Sequence, residues 1–181
     1  LFLHLLDLPY EFADSPADVR RAPAFRALNP LGQIPVLQDG DVVLADSNAI
    51  LVYLAKRHAA GTAWLPEDPV GAARVQRWLS QAAGEIMFGP ASARVSARFY
   101  DTGVPPALSQ ALAARVLGLM EGELAARDWL AAATPTIADI ACYSYVAHAP
   151  EGGIALDPYP RVRAWIGRVQ ALPGFVAMPA E

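Results

Sequence analysis

The stretch NPLGQIPVLQDGDVVLADSNAILVYL, residues 29–54, decides the fold of this chain. Two short runs of β-branched and aliphatic residues, 34–38 and 42–45, flank the Asp-Gly pair at 39–40. An Asp-Gly pair between such runs is typical of a β-hairpin. Apolar residues then recur at helical spacing in a segment that begins at Ser47. The stretch therefore predicts a strand, a turn, a second strand and a helix in direct succession.

The same stretch carries the groups of a small binding site. Pro35 cannot donate to a sheet ladder, so it favours an edge position or a cis peptide bond after Ile34. A cis bond turns the backbone N–H and C=O of Ile34 outward, where an extended peptide can pair with them. Ser47 lies at a helix N-terminus, which attracts carboxylates, and Asp46 can accept from an ammonium group. Taken singly, each feature also fits ordinary helix capping or a strand edge.

Upstream of this stretch, short apolar segments alternate with prolines. Residues 1–8 predict the end of an apolar helix that Pro9 stops, and residues 10–13 predict a short strand. A helix is expected over residues 18–28, ending before Pro30. Since the chain begins in the middle of a predicted helix and two short strands bury little, we expect roughly 10–20 further residues upstream.

Downstream, the sequence predicts only helices. The segment WLPEDP at 64–69 is typical of an ordered linker, with Asp68 as the cap of the next helix. The Gly-Pro pair at 89–90 should kink or split that helix. Further helices are expected to begin near Pro105, Thr136 and Pro160.

Composition excludes several classes of protein. Hydrophobic residues make up 54% of the 181 residues, charged residues 18%, and alanine occurs 36 times, so a helix-rich folded chain is expected. The net charge of −4 argues against a nucleic-acid partner. No run approaches the roughly 20 apolar residues of a membrane helix. Cys142 is the only cysteine, so no intrachain disulfide can form.

The chain lacks the common catalytic and metal-binding motifs. No GxGxxG, phosphate-binding loop, HExxH or GxSxG occurs, and His4, His58 and His148 are scattered, so no metal is expected. Cys142 is expected to be a buried small hydrophobe. The TIAD motif that begins at Thr136 follows the capping-box pattern, which predicts a structural role for Asp139.

Five segments together resemble the glutathione transferase family: NPLGQIPVL, LADSNAILVYL, WLPEDP, TPTIADIA and YPRVRAWIGRVQALPGF. The resemblance implies an α/β thioredoxin-like N-terminal domain, expected to be N-terminally incomplete, followed by an all-α helical-bundle C-terminal domain. We place these domains at residues 1–60 and 70–181, with the linker at 61–69.

The resemblance also implies glutathione as the peptide ligand and co-substrate. Gln33 and Ile34 would hold its cysteinyl backbone beside a cis Pro35, while Asp46 and Ser47 would hold its γ-glutamyl end. The family's thiol-activating Ser, Cys or Tyr is expected upstream of Leu1, so the catalytic residue is unknown.

The same resemblance implies a cytoplasmic, homodimeric detoxification enzyme. Its glutathione thiolate would attack a small apolar electrophile, with Phe88, Phe99 and Tyr143 as lining candidates. Two alternatives are a glutathione-dependent disulfide reductase or peroxidase of the same fold, and a non-catalytic binding module. We expect no nucleic-acid or membrane partner.

Overall fold

The computed structural model describes residues 1–178. The strands are β1 (Val36–Asp39) and β2 (Val42–Ala45). The α-helices are α1 (Phe2–Leu5), α2 (Ala17–Arg21), α3 (Pro23–Leu28), α4 (Ser47–His58), α5 (Pro69–Gln81), α6 (Ser92–Arg98), α7 (Pro106–Glu123), α8 (Ile137–Ala147) and α9 (Pro160–Gln170). A π-helical segment, Ala82–Ala91, joins α5 to α6, and a 3₁₀ turn, Ala149–Gly152, follows α8.

The hairpin that the sequence predicts is confirmed. Strands β1 and β2 pair antiparallel, with Asp39 opposite Val42, so Gly40 and Asp41 form the two-residue loop. Gly40 has a φ of 57°, a conformation that glycine adopts without steric cost. The first strand begins one residue after Pro35, which cannot donate a ladder hydrogen bond.

Two predictions upstream of the hairpin are wrong. Residues 10–13 form no strand, because no strand among residues 1–178 lies alongside to accept their hydrogen bonds. The single helix expected over residues 18–28 is two helices, α2 and α3. Ala22 between them is extended, with φ −65° and ψ 146°, since the ring of Pro23 disfavours the helical conformation of the residue before it.

The Gly89-Pro90 pair interrupts the long helix after the linker, as predicted. The chain continues through it as the π-helical segment, which accommodates Pro90 inside a widened helix. Gly89 permits a close approach of α7, because a Cβ on Gly89 would lie 2.8 Å from the backbone nitrogen of Ala113. The two long helical runs therefore touch backbone to backbone at this point.

One hydrophobic core runs through the described chain. Phe2 of α1 and Leu51 and Leu54 of α4 belong to the same buried cluster as the helices that follow the linker. The largest buried side chains of that cluster are Trp78, Trp165, Ile86, Leu117 and Met120. The α/β part therefore packs on the helices, and the boundary at 61–69 stays a prediction.

The start of α8 is organised by one buried carboxylate. Both halves of the predicted capping box between Thr136 and Asp139 are present. Oδ2 of Asp139 accepts from the backbone nitrogen of Thr136 at 2.9 Å and from its hydroxyl at 3.1 Å. Oδ1 accepts from the Leu130 nitrogen and from Nε1 of Trp165, both at 2.9 Å. The structural role predicted for Asp139 is confirmed.

Replacing Asp139 with alanine should leave several buried donors without an acceptor. We expect Asp139→Ala to lower the free energy of unfolding by about 3 kcal/mol or more, measured by urea denaturation. Asp157→Ala is the control, because that side chain is exposed and its ion pair with Arg163 contributes little. Equal stability of the two variants would contradict the structural role of Asp139.

Candidate functional site

The hairpin register brings the two halves of the predicted site to one end of the sheet. Val36, which follows Pro35, pairs with Ala45, which precedes Asp46. Pro35 and Asp46 therefore leave the same end of the two strands. Gln33, Ile34, Pro35, Asp46 and Ser47 are all exposed, so the end of the sheet presents them to solvent.

The loop before β1 presents a free backbone donor. The Ile34–Pro35 peptide bond is cis, as predicted. The Ile34 side chain is 58% exposed, and its N–H donates to no acceptor among residues 1–178. An incoming peptide can pair with this N–H without displacing a hydrogen bond of the protein.

Asp46 is the N-cap of α4, and Ser47 is the first helical residue. Oδ1 of Asp46 accepts from the Ala49 nitrogen at 2.9 Å. Asp46 has a φ of 78°, in the left-handed region that residues other than glycine seldom adopt. Such outliers concentrate at functional sites, where the surrounding structure holds them in place.

The first turn of α4 keeps unpaired donors at the exposed end. The N–H groups of Ser47 and Asn48 and the Ser47 hydroxyl have no partner within the described part of the chain. Free N–H groups and the positive end of the helix dipole together form an anion site. The Asn48 side chain donates to the Leu79 carbonyl at 2.9 Å, which anchors this turn to α5.

Sequence reasoning missed two residues beside this site. Asn29 is 6% exposed and its side chain bonds to two backbone groups of the loop. Arg20 lies against Gly32, whose φ is 64° and whose Cβ, if present, would approach the Arg20 carbonyl oxygen to 3.0 Å. The Arg20 Nε is buried without a partner in residues 1–178. The Asn-Pro dipeptide that starts the loop is a turn signal for Asn29, whereas nothing in the sequence distinguishes Arg20.

The three histidines each face a neighbouring side chain. His4 lies 3.0 Å from the Tyr10 hydroxyl, and His58 lies 3.5 Å from the Asp39 carboxylate. His148 lies 2.7 Å from Glu151. Residues 1–178 contain no cluster of three or more His, Cys, Asp or Glu side chains arranged to hold a metal ion.

Glu151 is a charged junction that sequence reasoning missed. Besides His148, it accepts from Nε of the buried Arg94 at 2.9 Å, and Arg98 approaches it to 3.4 Å. The hydrogen bonds from His148 and Arg94 lower the pKa of the Glu151 carboxyl. These contacts join the 3₁₀ turn to α6, so the charged cluster has a structural role in holding these two elements together.

Other candidates from the sequence divide between the core and the surface. Cys142 is buried, with its sulfur 3.8 Å from the Trp78 carbonyl oxygen, and burial raises its thiol pKa well above the usual value. Tyr143 is buried against Trp165. Phe88 and Phe99 are each about half exposed. Both lie far along the chain from the loop before β1.

Comparison with known proteins identifies the family. Residues 1–57 match the family model for the glutathione S-transferase N-terminal domain, and residues 107–173 match the model for its C-terminal domain. A glutathione S-transferase-like protein of Aspergillus fumigatus is 30% identical over 195 residues, covering 96% of this chain and 85% of that protein. The chain belongs to the glutathione S-transferase family.

Solved structures of this family have the same fold. A glutathione S-transferase from Pseudomonas fluorescens is 35% identical with a TM-score of 0.87, covering 97% of this chain and 89% of that one. A glutathione transferase homologue from Drosophila mojavensis, solved with bound glutathione, is 26% identical with a TM-score of 0.79, covering 94% and 80%. The fold is therefore a thioredoxin-like N-terminal part followed by an all-α C-terminal part, as predicted.

None of the helices within residues 1–178 is long and apolar enough to cross a membrane.

Proposed function

We propose that this protein binds glutathione and transfers it to a small apolar electrophile in the cytoplasm. One observation carries the proposal: the hairpin register places the free Ile34 N–H and the exposed N-terminus of α4 at the same end of the sheet. Glutathione is a short peptide with an amino-acid headgroup at one end. Its backbone can pair with the Ile34 N–H while its headgroup binds the N-terminus of α4. The names of the relatives support a reaction of glutathione transferase type.

Each end of the tripeptide has a chemical match. The backbone of Ile34, with Gln33 beside it, pairs with the cysteinyl residue. The N–H groups at the start of α4 and the Ser47 hydroxyl receive the α-carboxylate of the γ-glutamyl residue. The ammonium group of that residue approaches Asp46, whose Oδ1 caps the helix while Oδ2 stays available.

The proposed reaction is a nucleophilic substitution or addition by sulfur. The glutathione thiol loses its proton, and a sulfur lone pair forms the new C–S bond. In a substitution the leaving group departs with the electron pair of the broken bond. In an addition the electron pair of the broken π bond moves to the neighbouring atom, which then takes up a proton. A free thiol has a pKa of about 8.5 and is mostly protonated at neutral pH, so the enzyme must favour the thiolate. Tyr10 is not assigned this task, because it follows α1 and contacts His4.

We also propose that two copies of the chain form a homodimer through the cleft between the π-helical segment and α7. Phe88 and Leu108 line this cleft of about 490 Å³ and are about half exposed. Phe88 is therefore assigned to the interface here and not to the electrophile pocket. Glu85 and Arg115 form an ion pair at its rim. An apolar centre with a charged rim is the usual anatomy of a protein interface.

Light scattering coupled to size-exclusion chromatography tests this interface. We expect the wild-type protein to elute as a dimer and Leu108→Asp to shift toward the monomer, since a charge would be buried in an apolar cleft. Val70→Asp, at another exposed apolar position that lies on α5 outside the cleft, should stay dimeric. A monomeric wild type, or two variants that dissociate equally, would contradict it.

Replacement of Ser47 should separate binding from folding. Because Asp46 is the cap, Ser47→Ala should change the free energy of unfolding by less than about 0.5 kcal/mol. Loss of a hydrogen bond to a charged carboxylate should weaken glutathione binding by about 1.5–3 kcal/mol, measured by titration calorimetry. Conjugation of glutathione to an activated aryl chloride should then need correspondingly more glutathione.

Asp46→Asn is the companion variant, because the amide oxygen can still accept from Ala49 while the negative charge is lost. It should keep its melting temperature and bind glutathione more weakly. Wild-type protein that binds no glutathione would refute the proposed function. Binding without conjugation would leave a binding module, and reduction of glutathione mixed disulfides would favour the reductase alternative.

A further inference from the structure

We propose that Asn29 is a positioning residue that aims the Ile34 N–H at glutathione. The inference rests on the proposed function and adds a residue that touches no ligand. It starts from the loop between α3 and β1, residues 29–35, whose last three residues form half of the site.

Asn29 is the partner in most of the hydrogen bonds that this loop makes. Its side-chain Nδ2 donates to the Gln33 carbonyl at 2.8 Å, and its Oδ1 accepts from the Leu31 nitrogen at 3.1 Å. Its carbonyl accepts from the Gly32 nitrogen, and its own nitrogen donates to Phe25 of α3, both at 2.9 Å. One residue therefore closes the loop on itself and ties it to α3.

The bond to Gln33 fixes the orientation of a peptide unit. The peptide bond between Gln33 and Ile34 is trans, so the Gln33 C=O and the Ile34 N–H point in opposite directions. Asn29 is 6% exposed, and it holds the Gln33 oxygen toward the protein interior. The Ile34 N–H is thereby turned to the opposite, solvent-facing side, where no described residue accepts it.

This task needs an amide side chain. Asparagine is short and carries a donor and an acceptor at the same time, so it can bond to Gln33 and Leu31 together. An ionised aspartate keeps the acceptor for Leu31 but turns a second oxygen toward the Gln33 carbonyl. An alanine keeps neither bond and leaves that peptide unit free to rotate.

The test measures glutathione binding by titration calorimetry for variants of the loop before β1 and for a control variant at the far end of that strand. Asn29→Ala and Asn29→Asp should each weaken the Kd about tenfold or more. Tyr53→Phe is the matched control, because it removes a 2.8 Å hydrogen bond to Asp39 at the opposite end of the same strand. Its Kd should stay within twofold of the wild type, although all three variants should melt at a lower temperature.

An NMR measurement on the unmodified chain keeps the proposal testable if the Asn29 variants fail to fold. Without ligand, the Leu31 amide should exchange slowly with solvent and the Ile34 amide quickly. Glutathione should then shift the Ile34 resonance and slow its exchange. Glutathione that binds but leaves the Ile34 amide unchanged would overturn the proposal.

The outcomes separate this inference from the function on which it rests. If the wild-type chain does not bind glutathione in the calorimeter, the proposed function fails. Fast exchange of the Leu31 amide would independently refute its hydrogen bond to the Asn29 side chain. If the wild type binds while Asn29→Asp keeps its affinity, or Tyr53→Phe loses as much, the positioning role fails alone.

Discussion

Four hydrogen bonds to the buried carboxylate of Asp139 fix the helical platform on which the site stands. Through Trp165 the carboxylate holds α9, and through Leu130 it reaches α5, because Nε1 of Trp78 donates to the Leu130 carbonyl at 2.8 Å. The first turn of α4 is bonded to α5 through the Asn48 side chain. Polar contacts joined through the adjacent residues Trp78 and Leu79 thus lead from the buried core to the partly buried first turn of α4.

The proposed site combines exposed polar groups with anchors whose hydrogen bonds are already satisfied. Asp46 caps α4 with one carboxylate oxygen, while its other oxygen and the N–H groups of Ser47 and Asn48 have no partner within residues 1–178. Asn29 plays the corresponding part for the loop, since its buried side chain binds the Gln33 carbonyl next to Ile34. Such preorganisation matters because a ligand then orders few protein groups when it binds.

Local signals allowed much of the fold to be predicted. The hairpin at the Asp-Gly pair, the cis bond after Ile34 and the capping box depend on residues close in sequence, and all three are present. The ligand contacts of the site residues stay a prediction. The strand expected at 10–13 failed because a strand requires a partner that local sequence cannot supply. Glu151 was missed for the same reason, since its partner Arg94 lies 57 residues away in the sequence. Asn29 was missed although its partners lie within four residues, because the Asn-Pro pair predicts a turn without indicating which backbone groups the side chain binds.

The most direct test of this account is a crystal structure of the chain with glutathione. We expect the cysteinyl backbone of glutathione to pair with Ile34, and the γ-glutamyl carboxylate to lie against the first turn of α4 within hydrogen-bond distance of Ser47. The ammonium group should lie beside Asp46. Glutathione bound elsewhere, or bound at this site without contact to Ile34 and Ser47, would contradict it.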